Sequence, residues 1–424
     1  MEKSFVVRGH ICYSPVPEKI EIVENGYLVC EDQRVAGVFE TLPEQYAALP
    51  LTDYGDRLII PGLSDLHLHA PQYAFRSLGM DMELMEWLNT HTFPEESKYA
   101  DLDYAARAYE IFANDLKHSA TTRAAVFATL HVPATKLLMD LLEQTQVKAF
   151  VGKVNMDRNC PDFLCEKDSA TSEMDTRRWI EETMGAYKNI QPILTPRFTP
   201  ACSDDLMERI GRLQKEYHLP VQSHLSENPG EIAFVGELCP DAGFYGETYD
   251  RYGLFGANGP SIMAHCVYSG DAEVELMKKR GVFVAHCPQS NLNLASGIAP
   301  ARKYMDRGLN MGLGTDIAGG YSLSILRAMA DAVGMSKMYW RLVDESCRPL
   351  SVSESFYLGT KGGGAFFGKC GSFEEGYAAD LVVLDDASLP HPQALDVEKR
   401  LERVIFLGDE RNVFAKYVEG DRVF

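Results

Sequence analysis

The stretch "LSDLHLHAPQY" ends an apolar run with His67 and His69, two positions apart. In a strand such a pair points to one side, so the two imidazoles can aim at one metal ion. His224 in "QSHLSEN", His265 in "SIMAHC" and Asp316 in "GLGTD" close three other β-rich runs, which gives five candidate ligands at strand ends. Imidazoles with one carboxylate suit Zn(II), with Fe(II) second, and the lack of a soft sulfur set argues against copper or an iron–sulfur cluster. A catalytic ion keeps three or four protein ligands and one position for water, so five candidates are one too many. His265 is set aside as the group that holds the water, leaving His67, His69, His224 and Asp316 for one ion per chain. A second, bridged ion is not expected, because the fourth strand ends in Thr195, Pro196 and Arg197, and Lys153 on the third is the nearest lysine. Glu227, three residues after His224, is placed to take the proton of an acidified water. It can also serve as an acid at a helix N-terminus, and the two roles are compatible.

These groups need a frame of strand ends. Short β-rich runs fall at 58 to 66, 121 to 128, 147 to 154, 192 to 197, 219 to 224, 261 to 266, 282 to 286 and 309 to 315, separated by stretches such as 102 to 118 and 271 to 280 with helical spacing. The pattern predicts an α/β chain closed as a (β/α)8 barrel, with its chemistry at the C-terminal ends of the strands. Both termini carry short alternating strands instead. They are expected to pair into one small β-domain from residues 1–60 and 369–424, beside the barrel at 61–368.

Composition narrows the partners. The net charge of -20, with no run of Lys or Arg, excludes nucleic acid and an anionic membrane surface as partners. No apolar segment is long enough to span a bilayer, and the N-terminal "MEKSFVVRGHICYSP" lacks a signal-peptide core, which predicts a cytoplasmic protein. The ten cysteines are scattered, and the closest, Cys160 and Cys165, form no zinc knuckle. All are expected to be reduced and mostly buried.

The H-x-H, the later strand-end histidines, the "GTD" aspartate and the tail "GSFEEGYAADLVVLD" resemble the amidohydrolase superfamily, whose members join a metal-bearing barrel to a β-sandwich built from both termini. Within it, "HAPQY", "EWL", "TFP", "TPRFTPACS", "QSHLSEN" and "GLGTDIAGG" are similar, in the same order, to the guanine-deaminating branch. That resemblance implies hydrolysis of guanine to xanthine and ammonia by a zinc-activated water, in a homodimer. It implies His67, His69, His224 and Asp316 as ligands, and Glu227, His265 and Asp316 as catalytic groups. It also implies purine contacts from Gln72, Arg197, Phe198 and His224. A guanidinium can donate to O6, an amide can both donate and accept, and an aromatic can cover the ring. Trp87, Phe93 and Pro94 are left out of the site, since an amphipathic "DMELMEWL" helix packed on the barrel explains them as well. A deaminase of another amino-substituted heterocycle is the alternative.

Overall fold

Gly62 divides the apolar run 58 to 66 into two strands that belong to different sheets. Leu51–Pro61 pairs with the termini, and Leu63–His69 begins the parallel strands that carry the histidines. A Cβ at position 62 would lie 2.2 Å from Thr122 Oγ1, so only glycine lets the chain pass there. The computed structural model describes residues 4–424.

The middle of the chain is mixed α/β. One four-stranded parallel sheet runs in the order Leu63–His69, Thr121–Phe127, Lys148–Gly152 and Ile190–Pro192. A second runs Val221–Leu225, Ser261–His265, Phe283–His286 and Asn310–Leu313. Backbone hydrogen bonds join the two at both edges. Leu194 bridges to Val221 and accepts the Gln222 N–H at 2.9 Å, while His67 O accepts the Asp316 N–H at 2.8 Å and Ile317 O accepts the His69 N–H at 3.0 Å. Asp65 stitches the second junction further, accepting from the Thr315 N–H at 3.0 Å and its hydroxyl at 2.6 Å.

Helices follow the strands, as the spacing predicts. Leu102–His118 buries Ala105, Tyr109, Phe112 and Leu116 at helical spacing, and Asp101 caps its N-terminus through the Asp103 N–H at 2.9 Å. Val132–Thr145, Ser169–Thr183, Asp204–Tyr217, Pro229–Leu238, Asp271–Arg280, Ala301–Asp306 and Ile325–Leu342 take up the later connections. Leu66, Ala125, Ile262, Ala264, Ala285 and Cys287 form a buried cluster contributed by strands of both parallel sheets.

Where two stacked sheets were expected from the termini, hydrogen bonding joins them in one seven-stranded sheet. Its members include Phe5–Val16, Lys19–Glu31 and Arg34–Phe39 from the start of the chain and Leu381–Leu384, Val413–Val418 and Asp421–Arg422 from its end. Leu51–Pro61 lies between the two groups, parallel to the first strand and antiparallel to Leu381–Leu384. The tail also forms a helix, Val397–Leu407, whose Leu401 and Val404 are fully buried. No described helix is long and apolar enough to cross a membrane. The cysteine expectation needs one correction: Cys160 and Cys165 are joined in a disulfide across a short loop, while the other eight are free and buried.

Candidate active site

The structure brings the expected ligand, proton-transfer and purine-contact residues together at the C-terminal ends of the strands. His69, Gln72, Arg197, Phe198, His224, Glu227, His265 and Asp316 line one pocket, and His67, completely buried, lies against Asp316. Pleating puts His67 and His69 on the same side of their strand. The backbone at His265 (φ 72°) and Asp316 (φ 46°) turns left-handed, a conformation that side chains resist and that surrounding structure must enforce. Gly314 permits the tight crossing before Asp316, because a Cβ there would come within 2.9 Å of His67 Cβ.

The ring nitrogens and the carboxylate crowd one point. His67 Nε2 and His69 Nε2 lie 3.1 and 3.4 Å from Asp316 Oδ1, and His69 Nε2 lies 3.2 Å from His224 Nε2. His224 Nδ1 donates to the Arg197 carbonyl at 2.6 Å, so its Nε2 faces His69 as a bare lone pair. Neither ring nitrogen of His67 has a hydrogen-bond partner of good geometry. Burial and neighbouring imidazoles hold His69 and His224 well below the usual histidine range, and burial lowers His67. Burial alone would raise Asp316, but the surrounding histidines outweigh it and keep it ionised. Neutral imidazoles with converging lone pairs beside a carboxylate form the donor set of a divalent ion. Lys153 takes no part: it is buried in an ion pair with Glu166.

Opposite this cluster sit His265 and Glu227. His265 Nδ1 is 3.0 Å from Asn291 Oδ1, to which it donates, and its Nε2 lies 3.5 Å from Glu227 Oε2 and 3.8 Å from Asp316 Oδ2. Burial disfavours a charge on His265, yet Glu227 and Asp316 raise it above the usual value. Burial pushes Glu227 up to about 7, although the Ser296 hydroxyl donates to its Oε1 at 3.1 Å. A carboxyl poised near neutrality can both take and return a proton. Glu231 anchors the loop by accepting the Glu227 N–H at 3.0 Å and the Tyr245 hydroxyl at 2.7 Å.

Three contributions escape the sequence reading. Leu84 and Trp87, left out of the site, are buried in its wall with Leu88 and Leu294. Their helix, Leu84–Trp87, is one turn long and continues into a wider turn at Leu88–Thr92, and Leu84 N–H reaches Leu294 O at 3.3 Å. Phe93 places its ring centroid 5.3 Å from the Arg197 guanidinium. Glu96, nowhere singled out, touches both Arg197 and Gln72. The pair "EE" in "TFPEES" carries no signal that one of the two turns inward.

Comparison with known proteins agrees with this geometry. The amidohydrolase family profile matches residues 58–423. Guanine deaminases of Dictyostelium discoideum and Escherichia coli are each 33% identical to this chain, over 98% of it and 97% of the relative in the first case, and 96% and 93% in the second. The crystal structure of guanine deaminase from C. acetobutylicum with bound guanine in the active site superposes with a TM-score of 0.96 at 46% identity, covering 99% of this chain and 100% of that one.

Proposed function

This chain belongs to the amidohydrolase family, and from that premise we propose that it hydrolyses guanine to xanthine and ammonia. The observation that carries the reading is that residues of the imidazole–carboxylate cluster line one pocket with Gln72, Arg197 and Phe198, side chains suited to an oxopurine. Its relation to a guanine-bound relative of 46% identity supports guanine over other amino-heterocycles.

His67, His69, His224 and Asp316 would hold one zinc ion, with iron(II) able to use the same donors. The ion would supply acidification of a water and polarisation at the reacting carbon. Arg197 donates to O6, Gln72 meets the neighbouring ring edge, and Phe198 covers the ring face. Hydrogen-bonded to Asn291 through Nδ1, His265 turns Nε2 toward the site and orients the attacking water. Glu227 takes the water's proton at a carboxylate oxygen and delivers it to ring N3 as oxygen adds to C2. Asp316 accepts the hydroxyl proton of the tetrahedral C2 and passes it to the exocyclic amine, which leaves as ammonia as the C2–N bond breaks and the C2 carbonyl forms. Leu84, Trp87 and Leu294 exclude bulk water from that exchange.

The two joined parallel sheets would act as one closed (β/α)8 barrel at 61–368, with 1–60 and 369–424 as the accessory unit. A cytoplasmic homodimer is the working form. The test is ammonia release and the ultraviolet spectrum of the product from guanine, adenine, cytosine and 8-oxoguanine. Xanthine and ammonia from guanine are expected, and none from guanine with a metal-loaded protein rejects the reading.

A further inference from the structure

Glu96 is not among the groups the reaction uses, yet it joins the two that meet the purine edge. It lies on the short helix Phe93–Ser97 and is only 3% exposed. Arg197 reaches it with both ends of its guanidinium, Nη1 to Oε2 at 2.5 Å and Nη2 to Oε1 at 3.1 Å, and Gln72 Nε2 donates to Oε1 at 2.9 Å. We infer that Glu96 is a positioning residue that sets both the polarity of the Gln72 amide and the plane of the Arg197 guanidinium, and so selects a neutral ring bearing an oxo group. The inference rests on the guanine-deaminating reading above.

An ionised carboxylate can only accept, so a flipped Gln72 would set oxygen against oxygen. The amide is thereby locked with Nε2 on Glu96, and its Oε1 accepts the Ala318 N–H at 3.4 Å. One N–H and one lone pair are left for a ligand, the mixed donor and acceptor that a purine edge requires. Arg197 is fixed as firmly: two of its N–H groups are spent on a bidentate pair, and Phe93 lies against the guanidinium. The pairing also changes what the pocket attracts. Arg197 keeps free N–H donors but its charge is cancelled by Glu96, and Glu227, Glu231 and Asp316 line the same pocket. A phosphate- or carboxylate-bearing ligand gains no free cation there, whereas a neutral oxo-heterocycle gains oriented donors.

The test compares guanine with 2-aminopurine, which keeps the reacting amine and lacks the oxygen. Wild-type protein favours guanine, because 2-aminopurine leaves the Arg197 donors unpaired. In Glu96→Gln, kcat/KM for guanine falls about 10- to 100-fold, chiefly through KM, while that for 2-aminopurine changes little, so the preference collapses. Metal content and melting temperature, measured on the same samples, exclude a general loss of structure. Glu96→Asp keeps the charge but is one methylene short of spanning both partners, and recovers part of the preference. A ratio unchanged in both variants overturns the inference, as does an equal loss on both substrates, or failure of both variants to fold, which makes Glu96 a folding residue only. Absence of wild-type turnover of guanine would instead reject the underlying reading.

Discussion

His69 Nε2 and His224 Nε2 face each other at 3.2 Å, while the other nitrogen of His224 is committed to the Arg197 carbonyl at 2.6 Å. His224 thus turns a lone pair toward His69, and the two nitrogens are close enough to share one cation. Dialysis against a chelator should therefore lower kcat by at least about 100-fold, with recovery on adding zinc, since Lewis-acid stabilisation is worth several kcal/mol. His224→Ala should fail to regain activity at the same zinc concentration. Elemental analysis is expected to find one ion per chain. Two would contradict the single-ion site, because Lys153, the nearest lysine to a bridging position, is held by Glu166.

With Glu227 proposed as the proton carrier, its removal should act on chemistry more than on binding. Glu227→Gln keeps the shape and the Ser296 contact while removing the titrating oxygen. A fall in kcat of about 10²- to 10⁴-fold is expected, with metal content unchanged and KM within a few-fold. Steady-state kinetics on the metal-loaded variant decide it: retention of more than about a tenth of kcat assigns the proton to another group.

The sequence made the candidate ligands legible because a period of two and a strand end place an H-x-H without further information, and because "GLGTD" puts an acid directly after an apolar run. The alternation of β-rich and helical stretches likewise gave the order of the parallel strands. What stayed hidden depends on contacts across the fold. Whether the run 58 to 66 is one strand or two is decided by Thr122, which leaves no room for a side chain at Gly62. Glu95 and Glu96 are neighbours of one type and both buried, and only the distant Arg197 and Gln72 distinguish the one at the pocket from the one facing Tyr104 and Lys98. Trp87 fits a core helix as well as a pocket wall, and the short, irregular course of Leu84–Thr92 gives no periodicity to separate the two.

Acid should weaken the fold through Glu354. Burial alone would push its carboxyl up, but hydrogen bonds from Arg348 and Arg302 and from the Ser351 N–H outweigh it and hold it at about 2. A depressed carboxyl stabilises fully above its unfolded value near 4.5, and that contribution is lost as pH falls from there toward 2. The full loss for this group is about 3 kcal/mol, of which about 2 kcal/mol falls above pH 3. Denaturant midpoints between pH 6 and pH 3 should show it, and Glu354→Gln should flatten that limb. An equally steep limb in the variant would assign the acid sensitivity to other carboxylates.

The terminal sheet is fastened to the parallel strands by a buried lysine, which ties the accessory unit to stability more than to chemistry. Lys416, fully buried on the strand Val413–Val418, donates to the carbonyls of Leu116, Ser119 and Thr121 at 3.0 Å each. Three carbonyl acceptors surround the one amine at the C-terminal end of the helix Leu102–His118, while complete burial pushes the amine well below the usual lysine range. Lys416→Met would keep much of the volume but strand those carbonyls away from water. A loss of about 2–4 kcal/mol is expected, since an unpaired buried polar group costs about 1–3 kcal/mol and Leu116 O keeps its bond from the Ser119 hydroxyl. No group of the pocket touches Lys416, so kcat and KM for guanine should stay within about twofold at a temperature where the variant is folded. A lowered denaturant midpoint with unchanged kinetics is the expected pair of results, whereas a kinetic defect in a fully folded, metal-loaded variant would show that the sheet governs the site as well as the stability of the chain.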